Sequence, residues 1–214
     1  SDDASEDVRQ HADTLWKYVI QPALLDTDFE ARRAASLSTE IDQQVIDGLL
    51  DDDLVVAVLS YGNPRVFYET ALAQAAARPL VLIGHSLGGA IAARFAAAHA
   101  TPAEMAPWAR PIDGLVLSSP ALAIPIGAFQ RLLLATIGQL TPDVAVSNGL
   151  KPAWICHNPV TVAAYQADPL VHDRVTGRLT SWLIEAGQVA RARAAQWRVP
   201  SLIMWGGEDR CVDP

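Results

Sequence analysis

Cysteine is scarce in this 214-residue chain, which holds only Cys156 and Cys211. The two stand far apart and belong to no Cys-x-x-Cys or Cys/His cluster, so neither a zinc site nor a disulfide framework is indicated, and two ordinary thiols are expected. Basic residues are few as well: 16 Lys and Arg stand against 24 Asp and Glu, for a net charge of -8. Without basic patches to meet a phosphate backbone, nucleic acid is not expected as a partner. No apolar run approaches the ~18 to 20 residues of a membrane-spanning helix, and no basic n-region precedes an apolar stretch. The default expectation is a soluble cytoplasmic protein, although a signal lost before Ser1 would escape this reading.

What is present is unevenly distributed. Acidic residues from Asp2 to Asp53 crowd the segment ahead of the first convincing strand. Within it, Val8, Ala12, Leu15, Trp16, Val19 and Ile20 recur at helical spacing, and Phe29, Ala34, Leu37, Ile41, Val45, Ile46 and Leu49 continue the pattern. Residues 1–52 thus read as an acidic helical segment of unclear status. Beyond it, with 50% of the chain hydrophobic, there is enough apolar material for one sizeable core.

That core reads as alternating strands and helices. Asp53 to Ser60 is a β-branched run closed by Tyr61-Gly62-Asn63-Pro64 turn chemistry. A helix from about Arg65 to Ala77 leads into Leu80-Val81-Leu82-Ile83, apolar on both faces as a buried parallel strand requires. Further strands are expected at Ile112 to Leu117 and Pro200 to Trp205. Strands separated by helices imply a parallel, three-layer α/β sheet. Residues 53–119 and 199–214 form the expected core. Between them, residues 120–198 read as a helical cap insertion, with helices at Ala128 to Leu140, Val160 to Asp168 and roughly Arg174 to Arg198.

The chemistry centres on Gly84-His85-Ser86-Leu87-Gly88. A nucleophilic serine must be lifted clear of the sheet on a strained turn, and glycines two residues to either side let strand and helix approach each other. By itself such a motif is weak, since a glycine-rich turn with an exposed serine has the same form. The apolar strand before it and the Gly88-Gly89-Ala90 helix start after it raise its specificity. Ser86 is therefore the candidate nucleophile, and the Leu87 amide, at a helix N-terminus, the candidate oxyanion donor. Side-chain alternation along the strand points His85 away from Ser86, so a structural role is expected for it.

A carboxylate is expected on a loop after a later strand, and Met204-Trp205-Gly206-Gly207-Glu208-Asp209 supplies one in the order serine before acid. Asp209 is favoured, with Glu208 and Asp213 as competitors and a surface turn carboxylate as the plain alternative. Trp154, Trp182, Trp197 and Trp205 are expected to pack in the core or cap, and no cofactor or metal is implied. The apolar surplus of the cap, including Ile124, Phe129, Leu132 and Ile137, suits either an acyl-chain tunnel or burial within the cap.

The segments GHSLGG, DGLVLSSPALA, NPVTVAAYQADPLVHDRVT and VPSLIMWGGEDRCVDP together resemble the monoacylglycerol lipase and lysophospholipase branch of the α/β hydrolases, over roughly Arg78 to Pro214. The resemblance implies an α/β-hydrolase fold with a helical cap, a Ser-Asp-His triad, and fatty-acid monoesters of glycerol or phosphoglycerol as substrates. Ser86 and Asp209 match the family's nucleophile and acid. Two family features have no counterpart here. The His-Gly turn that completes the oxyanion hole does not occur before Ser86, and no histidine follows Asp209. The chain is accordingly expected to be truncated at both ends and inactive as given. If Asp53 to Ser60 is the family's fourth strand, the usual sheet neighbour of the nucleophile strand is missing.

None of the five histidines replaces the expected base. His99 lies some 20 Å along the helix that begins at Ser86, at about 1.5 Å per residue. His11 sits in the acidic segment, and His157 and His172 belong to the cap, where structural or solvent-facing roles are expected. Two functional classes follow. The first is a carboxylic ester hydrolase working through an acyl-enzyme on a small lipid ester, with the apolar cap open to peripheral membrane contact. The second is a non-catalytic scaffold of the same fold that binds a hydrophobic ligand or partner.

Overall fold

The computed structural model describes residues 43–58, 64–99, 109–127, 140–169 and 171–213, with isolated positions 13, 17, 21, 134 and 136. Its contacts divide the chain into two compact units, Ser1–Asp51 and Asp52–Pro214. In the first unit one helix is described, α1 (Gln43–Asp51), which coincides with the end of the second expected helix; the first expected helix and the earlier part of the second lie, apart from isolated positions, outside the described residues. The first cap helix, expected at Ala128 to Leu140, also falls largely outside them.

The second unit is built on strands β1 (Val55–Val58), β2 (Leu80–His85), β3 (Gly114–Ser118) and β6 (Ser201–Met204), paired in that order. Every pairing is parallel, with Ala57 beside Leu82, Leu82 beside Leu115 and Leu117 beside Ile203. This is the α/β fold with a parallel sheet that the alternation of strand and helix implied. One expectation is corrected: β1 pairs directly with β2, so the nucleophile strand does not lack a neighbour on that side. Helix α2 (Pro64–Ala75) joins these two strands and lies against both.

Because side chains alternate across a strand, the register sorts the sheet into two faces. Leu80, Leu82, Leu115 and Leu117 share one face and are almost wholly buried. Over them pack Ala92, Ala93, Ala96 and Ala97 of α3 (Leu87–His99) and Ala190 of α5 (Gly177–Ala192). Alanine serves here by being small, since a helix of methyl side chains can approach a sheet of leucines closely. Arg193, just past α5, donates to the Ala97 carbonyl over 3.1 Å, satisfying an acceptor at the open end of α3.

Helix α5 changes how the cap is seen. The long helix expected from about Arg174 begins instead at Gly177, because Thr176 caps it by accepting from the Leu179 amide. Arg174–Thr176 is a strand, β5, paired antiparallel with β4 (Ala145–Ser147) in a two-stranded ribbon. The β-branched Val175-Thr176 favours the extended form, and a bidentate Arg178 to Asp143 contact at 2.8 and 2.9 Å secures the ribbon's base. Ala186, Gly187 and Ala190 of α5 are buried, and a Cβ added at Gly187 would stand 1.9 Å from the Leu122 carbonyl oxygen. The second half of α5 therefore belongs with the sheet-packing helices.

Between ribbon strands, a 3-10 turn at Pro152–Trp154 precedes α4 (Pro159–Ala167), which begins with Asn158 as N-cap and Pro159 in its first turn. The tryptophans divide. Trp197 packs against the core and Trp154 is half-buried beneath the Lys151 ammonium. Trp182 and Trp205 are more open, at 36% and 40% exposed, and Trp205 lies just beyond β6.

Candidate active site

Ser86 follows the last residue of β2 and precedes the first of α3, and it adopts a φ of 51°. That left-handed backbone is costly for a non-glycine residue and is tolerated where the surroundings over-determine it. The surroundings here are hydrogen bonds. The Ser86 amide donates to the Ser118 carbonyl over 3.0 Å, and the Ser86 carbonyl accepts from Ala90 and from Ala121. Glycine is required beside it: a Cβ on Gly84 would meet the Gly88 carbonyl oxygen at 2.3 Å, and one on Gly89 would stand 2.8 Å from Pro120 Cα. Strand and helix thus cross at a distance that leaves no room for a methyl group.

Leu87 opens α3, where first-turn amides lack an intrahelical acceptor and the helix dipole is positive. An anion developing beside Ser86 would meet that amide.

Since all four strands run parallel, their carboxyl ends share one edge of the sheet, and Asp209 follows β6 on that edge. The loop carrying it is anchored: Val212 is buried with Ala90 of α3 and with Ala121. The loop of Asp209 and the helix that follows Ser86 therefore share one small apolar cluster. Asp209 Oδ1 accepts from the Cys211 amide at 2.9 Å and the Val212 amide at 3.2 Å. Burial would raise its pKa, but the hydroxyl of Ser119, those two amides and the nearby His85 together hold the carboxyl below its ordinary range.

The competitors stand elsewhere. Glu208 pairs with the His157 ring at 3.2 Å on the open surface, and Asp213 is exposed, its amide donating to the Ala123 carbonyl. Cys211 is a free thiol whose pKa is pushed up by burial and by the charge of Asp209, which leaves it a poor nucleophile.

The histidines occupy distinct places. His85 and Ser118 are register partners on β2 and β3, and their side chains meet at 3.2 Å. His172 accepts from the Arg174 amide. His11 falls outside the described residues. Among the described residues, no histidine ring is hydrogen-bonded to the Ser86 hydroxyl. Sequence reasoning passed over Ser119 and the influence of His85 on Asp209. The signal was the Ser118-Ser119-Pro120 run at a strand end, a place where two hydroxyls meet whatever the neighbouring strands present.

A sequence profile of the family described as serine aminopeptidase, S33 matches residues 62–214. Among curated proteins, the chain is 33% identical over 137 residues to a monoacylglycerol lipase of Mycolicibacterium smegmatis, covering 63% of this chain and 45% of that one. It is 30% identical over 138 residues to phospholipase YtpA of Bacillus subtilis, covering 63% and 50%. The chain thus spans about half the length of the curated relatives it matches. The crystal structure of Paleococcus ferrophilus monoacylglycerol lipase superposes with a TM-score of 0.54 at 34% identity, over 65% of this chain and 52% of that one. A soluble variant of Saccharomyces cerevisiae monoglyceride lipase, at 21% identity and TM-score 0.54 over 70% and 50%, shares the fold.

Proposed function

Because the chain belongs to the serine aminopeptidase S33 family of α/β hydrolases, we propose that Ser86 is the nucleophile of a serine esterase that cleaves fatty-acid monoesters through an acyl-enzyme. The observation that carries this reading is Ser86 at positive φ between a parallel strand and an alanine-rich helix. A turn that raises the side chain above the sheet accounts for that strain.

In the proposed reaction, Ser86 Oγ attacks the ester carbonyl carbon while a histidine takes its proton. The Leu87 amide stabilises the oxyanion, and collapse of the tetrahedral adduct expels the alcohol, protonated by the imidazolium. Water then attacks the acyl-serine and releases the fatty acid. Asp209 holds the imidazolium in place. No histidine ring among the described residues is hydrogen-bonded to the Ser86 hydroxyl, so the proposed step takes its base from elsewhere in the protein.

The relatives' names, monoacylglycerol lipase and phospholipase, support a glycerol or glycerophospho monoester as the substrate class. We assign the ribbon and α4, within residues 140–169 and 171–176, to a cap, and its exposed Leu140, Val144, Val146 and Val160 suit contact with a lipid chain or a membrane surface. Fluorophosphonate labelling of the full-length protein tests the nucleophile. Labelling should occur and vanish in Ser86→Ala; labelling that persists in that variant, or never occurs, sinks the proposal. Product analysis with a monoacylglycerol and a lysophospholipid assigns the head group.

A second reading, a scaffold that binds a hydrophobic ligand without catalysis, draws on the same lack of an imidazole at Ser86 among the described residues. It predicts ligand binding with no labelling.

A further inference from the structure

Two consecutive residues of the nucleophile turn hold the same residue of the neighbouring strand. The Ser86 amide donates to the Ser118 carbonyl over 3.0 Å, and His85 Nδ1 stands in hydrogen-bond contact with the Ser118 hydroxyl oxygen at 3.2 Å. The two contacts differ in kind. The first continues the parallel ladder of β2 and β3 and asks nothing of either side chain. The second needs an imidazole at 85 and a hydroxyl at 118, which are register partners. Side-chain alternation puts both groups on the face of the sheet opposite Leu82 and Leu117, away from α3. The turn is thus fastened by side chains on one face as well as by backbone along the ladder.

The corner that bears Ser118 matters because Ser86 is held at its φ of 51° from there. Ser118 supplies the acceptor for the Ser86 amide, and Ala121 the donor for its carbonyl. On the β6 side the corner is tied by the Ser119 amide, which donates to the Met204 carbonyl over 2.7 Å. On the β2 side the tie beyond the ladder is His85. His85 is exposed and Ser118 half-buried, so water can satisfy both groups and the bond adds little to folding. Its effect falls on where the end of β3 stands. We propose that His85 is a positioning residue: through Ser118 it holds the acceptor of the Ser86 amide in place and so keeps the nucleophile on its strained turn. It touches no substrate and acts only through Ser118. The catalytic consequence rests on the esterase reading; the bond and its effect on the Ser86 backbone can be tested without it.

The test uses the full-length protein and the variants His85→Ala, His85→Asn, His85→Gln, Ser118→Ala and the double variant of His85→Ala with Ser118→Ala. Fluorophosphonate labelling of Ser86 should slow about fivefold in His85→Ala and in Ser118→Ala, the scale of one hydrogen bond. The double variant should be no slower than either, because its second change removes a bond already lost. Asparagine carries a polar atom where Nδ1 stands and should keep the rate within about twofold of wild type, whereas glutamine carries it further out and should not. A role in folding alone would not separate those two variants. In ester hydrolysis the loss should fall on kcat, with KM within about twofold. The Ser86 amide resonance gives a readout independent of catalysis: it should move in His85→Ala and Ser118→Ala and return in His85→Asn. If His85→Ala folds poorly, Ser118→Ala carries the test, since it removes a single oxygen. Labelling rates unchanged in both single variants, or losses that add in the double variant, overturn the inference and leave Ser86 as nucleophile. Absence of labelling in the wild type overturns the esterase reading, and the Ser86 amide resonance then decides the inference by itself.

Discussion

A methyl group on Gly84 would stand 2.3 Å from the carbonyl oxygen of Gly88, closer than any real contact of that kind. The two glycines mark where the β2 strand passes under the first turn of α3, and Ser86 sits at the bend between them.

Gly84→Ala therefore has no cheap accommodation, because the obstacle is backbone on both sides. The helix start must move away from the strand. A loss of about 2 to 4 kcal/mol in stability is expected, read as a lower urea midpoint. Fluorophosphonate labelling of Ser86 in the full-length protein should fall with it, as the turn that presents the hydroxyl relaxes.

Gly187 and Gly207 form a matched pair for the same logic. Gly187→Ala would drive a Cβ to 1.9 Å from the Leu122 carbonyl oxygen, where α5 crosses the chain after β3. Thermal unfolding should show a loss of about 2 to 4 kcal/mol. Around Gly207 nothing lies within 4 Å, so Gly207→Ala should change stability by less than about 0.5 kcal/mol. Equal behaviour of the two variants would contradict the packing described for α5.

Asp209 gives a pH dependence with a definite sign. Its folded pKa lies below that of an unfolded aspartate. Its contribution to stability is therefore fully present above the unfolded value of about 4 and is lost as pH falls through the depressed folded value. Asp209→Asn should be less stable than wild type at pH 7, with the gap closing on acidification. Denaturant titrations at pH 7 and pH 3 check this; a gap that widens in acid would be the wrong sign.

The cap histidines should be dispensable for Ser86. His157 is engaged with Glu208 and His172 with the Arg174 amide. Rates of fluorophosphonate labelling in the full-length protein should stay within about twofold in His157→Ala and in His172→Ala. A loss of tenfold or more in either would make that ring the base.

Strand β6 is an edge among the described residues, and it exposes Leu202, Ile203 and Met204. Such an edge invites pairing with another chain. The 214-residue chain should self-associate in light scattering, and Leu202→Lys, at a residue 54% exposed, should reduce this without unfolding the protein.

Much of this architecture is legible in order along the chain. The β-branched run at Val55–Val58, the apolar run from Leu80 and the glycines around Ser86 each declare a local backbone state, because their demands are met within a few residues. For the same reason Ser86 and Asp209 can be nominated from their own turns. The ribbon of β4 and β5 escapes such reading: Ala145–Ser147 and Arg174–Thr176 are three residues each and become strands only by finding one another.

The sequence by itself determined the strands and helices of the parallel sheet and nominated Ser86 and Asp209 as candidates, since period, turn chemistry and strand-to-helix junctions are local properties. Only the tertiary structure decided that β1 lies against β2, that the second half of α5 packs on the sheet, and that Val212 is buried with Ala90 and Ala121. Those relations join residues far apart in the chain. They depend on which strands become neighbours and in what register, and hydrogen bonds across parallel strand ends leave no periodic trace in the sequence.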